Sequence, residues 1–239
     1  MHNLKEAGKT CSQLKVNRSL DVRSLIFLME LASSVISFIV GYYALKAYKT
    51  TGARGLMLLY LGFLVLGIGI FLRFVTATYF GIILRGFPTI EYRLTGLVNL
   101  ATLIYMLTQL TAYGLFTATY VLQATRTNSR SAEASVVSAA AAPIVRLFVI
   151  PQLELIAITL LGFITVYTFT NWVLKRGSGA ALVFLGFGLM LLSHLFFLLI
   201  VIEELSLTFL VLGQATQLAG FLCLLTMLAR VSKTNAKGT

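Results

Sequence analysis

Residues 94–125 read LTGLVNLATLIYMLTQLTAYGLFTATYVLQAT, 32 positions without a charged side chain. A helix needs about 20 residues to cross roughly 30 Å of hydrocarbon, so this run crosses with turns to spare. Other runs share its character. Residues 24–45 are apolar apart from Glu30, and 55–72 are uncharged and continue as 74–84 beyond Arg73. Residues 155–174, 177–202 and 205–229 are likewise uncharged. Strands of a membrane barrel alternate polar and apolar over about 10 residues, and these runs do not alternate. The whole chain agrees: of 239 residues, 58% are hydrophobic and 11% charged, where a soluble domain carries about 25% charged. Mean hydropathy is +0.91. A soluble domain, a disordered chain and a disulfide scaffold are excluded. An all-α membrane protein with six strong spans remains.

Residues 134–150, ASVVSAAAAPIVRLFVI, are shorter, rich in small residues, and carry Pro143 and Arg146. Charge placement decides how to read them, because basic residues favour the cytoplasmic ends of spans. If 134–150 cross and the N-terminus is outside, Lys46, Lys49, Arg54, Arg126, Arg130, Lys175, Arg176, Arg230, Lys233 and Lys237 fall inside, with Glu133. The outer loops then hold Arg85, Arg93 and Arg146 against Glu91, Glu154, Glu203 and Glu204. With six spans that bias disappears. Seven spans with the N-terminus outside are therefore expected. The basic head, residues 1–23, departs from the bias and reads as a polar tail. It has no apolar core or cleavage site of a signal peptide.

An internal repeat leads to the same topology. At an offset of 124, Glu30 maps to Glu154, Tyr43 to Tyr167, Tyr48 to Trp172, and Tyr60-Leu61-Gly62-Phe63 to Phe184-Leu185-Gly186-Phe187. After a deletion of about 19 loop residues, Gln109 falls near Gln214. Two parallel three-helix repeats need an odd span between them. The expected organisation is thus a basic tail (1–23), a first repeat (24–125), a loop with linker helix (126–152), a second repeat (153–230) and a basic tail (231–239), or 3+1+3.

That arrangement resembles the SWEET and PQ-loop transporters, with Pro151-Gln152 as a PQ pair at the entrance to the span that follows. It is more loosely similar to microbial rhodopsins, but 205–229 lack the lysine that retinal needs. The turn Tyr42-Tyr43-Ala44-Leu45-Lys46-Ala47-Tyr48-Lys49, followed by Thr51-Gly52-Ala53-Arg54 and Leu61-Gly62-Phe63, resembles small archaeal polytopic proteins such as the CedA family. That family supplies the membrane component of a crenarchaeal DNA-import machinery. This resemblance implies a DNA substrate, partner membrane subunits, a motor ATPase and an oligomer or complex in the cell membrane. The SWEET likeness implies a small-solute transporter working alone. A membrane sensor or partner-docking protein is a third reading, though the longest interior loop, 123–133, offers little docking surface.

Polar groups inside a membrane are costly, so each is a candidate site. Glu30 and Glu154 occupy equivalent first-turn positions. They suggest an acidic pair at the outer mouth, or carboxylates placed by the helix dipole. Asn99, Thr102, Gln109, Tyr113 and Tyr120 fall on one helical face, and Gln214 and Gln217 stand one turn apart. These two sets are expected to line the interface of the repeats or to bond between helices. His194 lacks a carboxylate in its own span, which favours a packing role over a proton relay. Arg73 and Arg146 are expected to snorkel, with Glu30 as an alternative partner for Arg73. Ser33, Ser37 and Gly41 form a ridge for close helix packing. Cys11 and Cys223 imply neither a disulfide nor a metal site. No catalytic or nucleotide-binding motif is present, so an enzyme and a cofactor are not expected.

Overall fold

The computed structural model describes residues 2–86, 91–127, 150–203 and 207–236. These form six helices: α1 (His2–Thr51), α2 (Arg54–Gly86), α3 (Glu91–Thr127), α4 (Ile150–Lys175), α5 (Ser178–Glu203) and α6 (Leu207–Ala236). Each contains a stretch long and apolar enough to cross a membrane, beginning in α1 at Ser24–Thr51 and ending in α6 at Thr208–Val231. The described residues are thus helical but for the short turns at 52–53 and 176–177, and the chain is a multi-pass membrane protein. Residues 2–23, set apart as a tail in the sequence, are helical and continuous with α1. The expected linker helix lies outside the described residues, except for Ile150, which opens α4.

The helices form a closed ring in chain order, each packing on its two neighbours and α6 returning to α1. Their directions follow from which residues meet. Ser34 and Ser37 of α1 donate to the carbonyls of Gly67 (3.0 Å) and Phe63 (2.8 Å) of α2, so numbers fall as numbers rise and the pair is antiparallel. Gly62 faces Phe116 and Gly69 faces Thr108, which makes α2 and α3 antiparallel. Glu154 meets His194 while Trp172 stacks on Phe184 at 5.5 Å, so α4 and α5 oppose. Gly186 meets Leu224 while Gly213 meets Phe197, so α5 and α6 oppose. Between α3 and α4 the sense changes. Met106, Gln109 and Leu110 share a crevice with Leu153, Glu154 and Ala157, and Tyr120 packs on Tyr167 at 5.3 Å. Numbers rise together there, so α3 and α4 run parallel. By the same chain of contacts α1 runs parallel to α6.

The two halves, α1–α3 and α4–α6, therefore have the same orientation, and their interiors match position by position. At the offset of 124, buried Glu30, Ser33, Val40, Phe63, Leu66 and Ile70 correspond to buried Glu154, Ala157, Ile164, Phe187, Met190 and His194. At an offset of 105, Gln109, Ala112 and Phe116 correspond to Gln214, Gln217 and Phe221, all buried. Phe63, Phe116, Phe187 and Phe221 thus make a repeat-related quartet. Phe63 meets Phe116 at 4.6 Å and Phe221 at 6.4 Å, and Phe116 meets Phe187 at 5.8 Å. Such ring pairs add about 0.5–1.5 kcal/mol each beyond area burial. The outer face is apolar, with Leu28, Tyr42, Val166 and Leu174 among its most exposed side chains. The ridge residue Gly41 would place a Cβ 3.6 Å from the Phe63 Cβ, as close packing of α1 on α2 requires.

The repeat extends to the helix caps. Gly52 (φ 65°) and Arg176 (φ 47°) stand 124 residues apart, and both end the first helix of their half in the left-handed region. Each donates its N–H four residues back at 2.8 Å, to the Tyr48 and Trp172 carbonyls. Glycine adopts this conformation freely, whereas an L side chain there costs about 1–2 kcal/mol. Arg176→Gly is expected to raise the unfolding free energy by about 0.5–1 kcal/mol, after the extra backbone entropy of glycine is subtracted. Thermal unfolding in detergent reads this out, and a lowered midpoint would contradict the shared cap.

Candidate functional site: two polar clusters between the halves

Each half places a glutamate on its first helix and a base on its second. Each cluster is then completed by the third helix of the opposite half. In the second half, His194 Nδ1 lies 2.6 Å from Glu154 Oε2, with both side chains buried. The other ring nitrogen, Nε2, lies 2.7 Å from the Tyr113 hydroxyl of α3. Gln109 Nε2 is 3.0 Å from that hydroxyl and 3.3 Å from His194 Nε2. One assignment of protons satisfies the whole chain. Gln109 donates to Tyr113, Tyr113 to His194 Nε2, and His194 Nδ1–H to Glu154. The donors all point one way, which strengthens each bond in a low-dielectric interior. The His194 ring is also held edge-on between Tyr113 (5.3 Å) and Phe197 (5.9 Å).

In the first half, Arg73 Nε lies 3.3 Å from Glu30 Oε1, and Gln214 Nε2 of α6 lies 3.4 Å from the same oxygen. The Arg73 guanidinium sits over the Tyr105 ring at 4.7 Å from its centroid. The second carboxylate oxygen, Glu30 Oε2, has no hydrogen-bond partner among the described residues. Glu30 is buried while the Arg73 side chain keeps 30% of its surface exposed, so removing Arg73 leaves a buried carboxylate short of its cation, whereas removing Glu30 leaves a cation that reaches the surface.

Several sequence expectations change here. Glu30 and Glu154 do not form one acidic pair; each faces its own base. His194 is buried with partners on both ring nitrogens, and its carboxylate comes from another span. Arg73 turns inward to Glu30 and Tyr105 instead of snorkelling alone. Asn99 is exposed and stands apart from Gln109 and Tyr113, its expected neighbours on the stripe. Tyr120 packs against Tyr167 and Phe187, away from both clusters. Gln214 joins the Glu30 cluster, and Gln217 is buried one turn deeper without a partner for Nε2. Arg146 lies outside the described residues. Sequence reasoning passed over Tyr105, yet Tyr105, Gln109 and Tyr113 fall at steps of four, the signal that would have added it to the stripe.

Neither a protein-family model, nor a curated protein, nor a solved structure matches this chain.

The Glu154–His194 contact is measurable. Glu154→Leu and His194→Leu are each expected to destabilise the fold, and the double variant to lose less than their sum by about 1–3 kcal/mol. Strict additivity in denaturant unfolding, to within about 0.5 kcal/mol, would mean that the two groups do not interact.

Proposed function

We propose that this chain is a membrane transport or translocation protein of the cell membrane, with seven spans arranged 3+1+3 and its N-terminus outside. The parallel run of α3 and α4 supports the odd span: a chain leaving α3 at one face has to enter α4 at the other. Residues 128–149 provide 22 positions for that return, roughly 33 Å as a helix. The same directions gather Lys46, Lys49, Arg54, Arg176 and Arg230 at one end of the bundle. That is the distribution expected of a cytoplasmic face.

The observation that carries the functional reading is the buried chain Gln109–Tyr113–His194–Glu154. It is drawn from both halves and joins an imidazole to a carboxylate. Among the described residues the helices of the two halves that run side by side are α1–α6 and α3–α4, and the two polar clusters lie beside these seams. Related bundles of parallel repeats place the pathway between the halves. A proton gained or lost at His194–Glu154 changes the cost of keeping the α3–α4 seam closed, and so links protonation to movement of the halves. The phenylalanine quartet lies roughly 10–15 Å nearer the basic face, judged from 10 residues between Phe63 and Arg73 and 7 between Phe187 and His194 at 1.5 Å per residue. It closes the axis on that side.

Two cargo classes follow. The basic face suits phosphate groups, which favours the DNA-import reading. That role calls for a motor ATPase and partner membrane subunits, and for a strand passing beside the closed quartet in an assembly. The quartet itself favours a small-solute carrier working alone. His194→Phe keeps ring volume and removes proton exchange, so it separates function from packing. Cells lacking the gene are expected to lose uptake of labelled DNA, with recovery from the intact gene but not from His194→Phe at equal membrane abundance. Unchanged uptake on loss of the gene removes DNA as the cargo and leaves solute flux driven by a pH gradient in liposomes. Full activity of His194→Phe in both assays would remove the cluster from the mechanism.

A further inference from the structure

The two seams between the halves differ in one respect that the repeat makes visible. Five buried polar side-chain atoms lack a hydrogen-bond partner among the described residues, and three belong to the α1–α6 seam: Glu30 Oε2, Ser33 Oγ and Gln217 Nε2. Gln214 contacts Glu30, and α1 and α6 run parallel. One turn deeper on each helix therefore sets Ser33 level with Gln217. Both are almost wholly buried, at 1% and 2% exposure. Ser33 does not bond back to α2, although its neighbours Ser34 and Ser37 do. At the α3–α4 seam the corresponding residues are Ala157 and Ala112, both buried and apolar. The helices are equivalent, but one seam retains unmatched polar groups and the other does not.

The atoms left over define what would satisfy them. The Glu30 carboxylate oxygen accepts, the Gln217 amide nitrogen donates, and the Ser33 hydroxyl does either. A bare cation cannot accept from the amide nitrogen, and an anion is repelled by Glu30. A hydroxyl group donates and accepts at once. We propose that the α1–α6 seam is a binding site for a hydroxyl group, from water or a small polyol, held among Glu30, Ser33 and Gln217, and that the α3–α4 seam is dry. A buried polar group left unmatched is costly, and a bridging hydroxyl recovers most of that cost. The α1–α6 seam is then the polar entry to the bundle interior, beside the fixed cation Arg73. At the other seam Ala157 and Ala112 offer no such polar partners one turn from Glu154 and Gln109. This assignment does not depend on transport.

Cysteine reactivity tests it in the full chain, in membranes, with Cys11 and Cys223 replaced by serine. A thiol reacts as its thiolate, which forms readily near water and poorly in apolar surroundings. Ser33→Cys is expected to react with a small thiosulfonate reagent at least tenfold faster than Ala157→Cys. Should Ala157→Cys fail to fold, Gln217→Cys against Ala112→Cys makes the same comparison at the facing positions. A rate at Ser33→Cys that falls and saturates with added glycerol assigns the site to a polyol hydroxyl, and an unchanged rate assigns it to water. Equal reactivity at the two seams overturns the proposal.

Discussion

A carboxylate inside hydrocarbon has to be met by the protein itself, and Glu30 and Glu154 set that demand at the same place in each half. Hydrocarbon offers no hydrogen bonds, and a charged group at mid-membrane costs about 2.5–3.5 kcal/mol on insertion scales, more in simulations. The second helix of each half answers with a base and the third helix of the other half with a glutamine. Glu30 takes Arg73 from its own half and Gln214 from the other, whereas Glu154 takes His194 from its own half and Gln109 reaches across to that ring and bonds to Tyr113. The polar groups therefore specify the closure of the ring, which apolar packing would leave degenerate: the outer faces are as greasy as the lipid, and burying them against each other gains little.

Within each half the packing is of another kind. Serine hydroxyls bond to carbonyls on α2, ring faces stack, and α5 approaches α6 closely enough that a Cβ on Gly220 would lie 2.7 Å from the Gly186 carbonyl oxygen. These contacts depend on shape and tolerate little sliding. The contacts between the halves combine the aromatic quartet with two hydrogen-bonded clusters whose strength depends on where protons sit. A structure with shape-locked halves and chemically held seams has its natural joints at the seams.

Much of this was legible in the sequence, for particular reasons. Uncharged runs of 20 or more residues identify four of the spans outright, the other two are apolar runs interrupted by Glu30 and Arg73, and the offset of 124 recovered the correspondence of Glu30 with Glu154 and of Phe63 with Phe187. The caps at Gly52 and Arg176 share that offset but were not legible, because an arginine carries no signal for the left-handed conformation it adopts there. The pairing of bases with carboxylates was not legible. His194 looked solitary because its partner stands 40 residues away on another helix, and no periodicity within one span encodes contact between spans. Arg73 looked free to snorkel for the same reason. Asn99 was misplaced because a helical face identifies direction around the axis, not depth along it: it lies near the end of the span, ten residues before Gln109.

The divergence of the halves carries a last consequence. A duplicated bundle with identical seams would have no reason to favour one path for polar species over the other. Here the positions that answer the glutamates are a fixed cation in one half and a titratable ring in the other. The residues one turn deeper are Ser33 and Gln217 against Ala157 and Ala112. Arg73 and His194 stand one turn apart in the repeat, Ile70 matching His194 and Phe197 matching Arg73, so each half places its basic group at a different turn of its second helix. A seam with unmatched polar atoms is inexpensive to hydrate and carries a charge that does not change, whereas an apolar seam resists hydration and carries a group whose charge can. Equivalent scaffolds thus acquire unequal chemistry, and the inequality gives the bundle a direction that its backbone symmetry lacks.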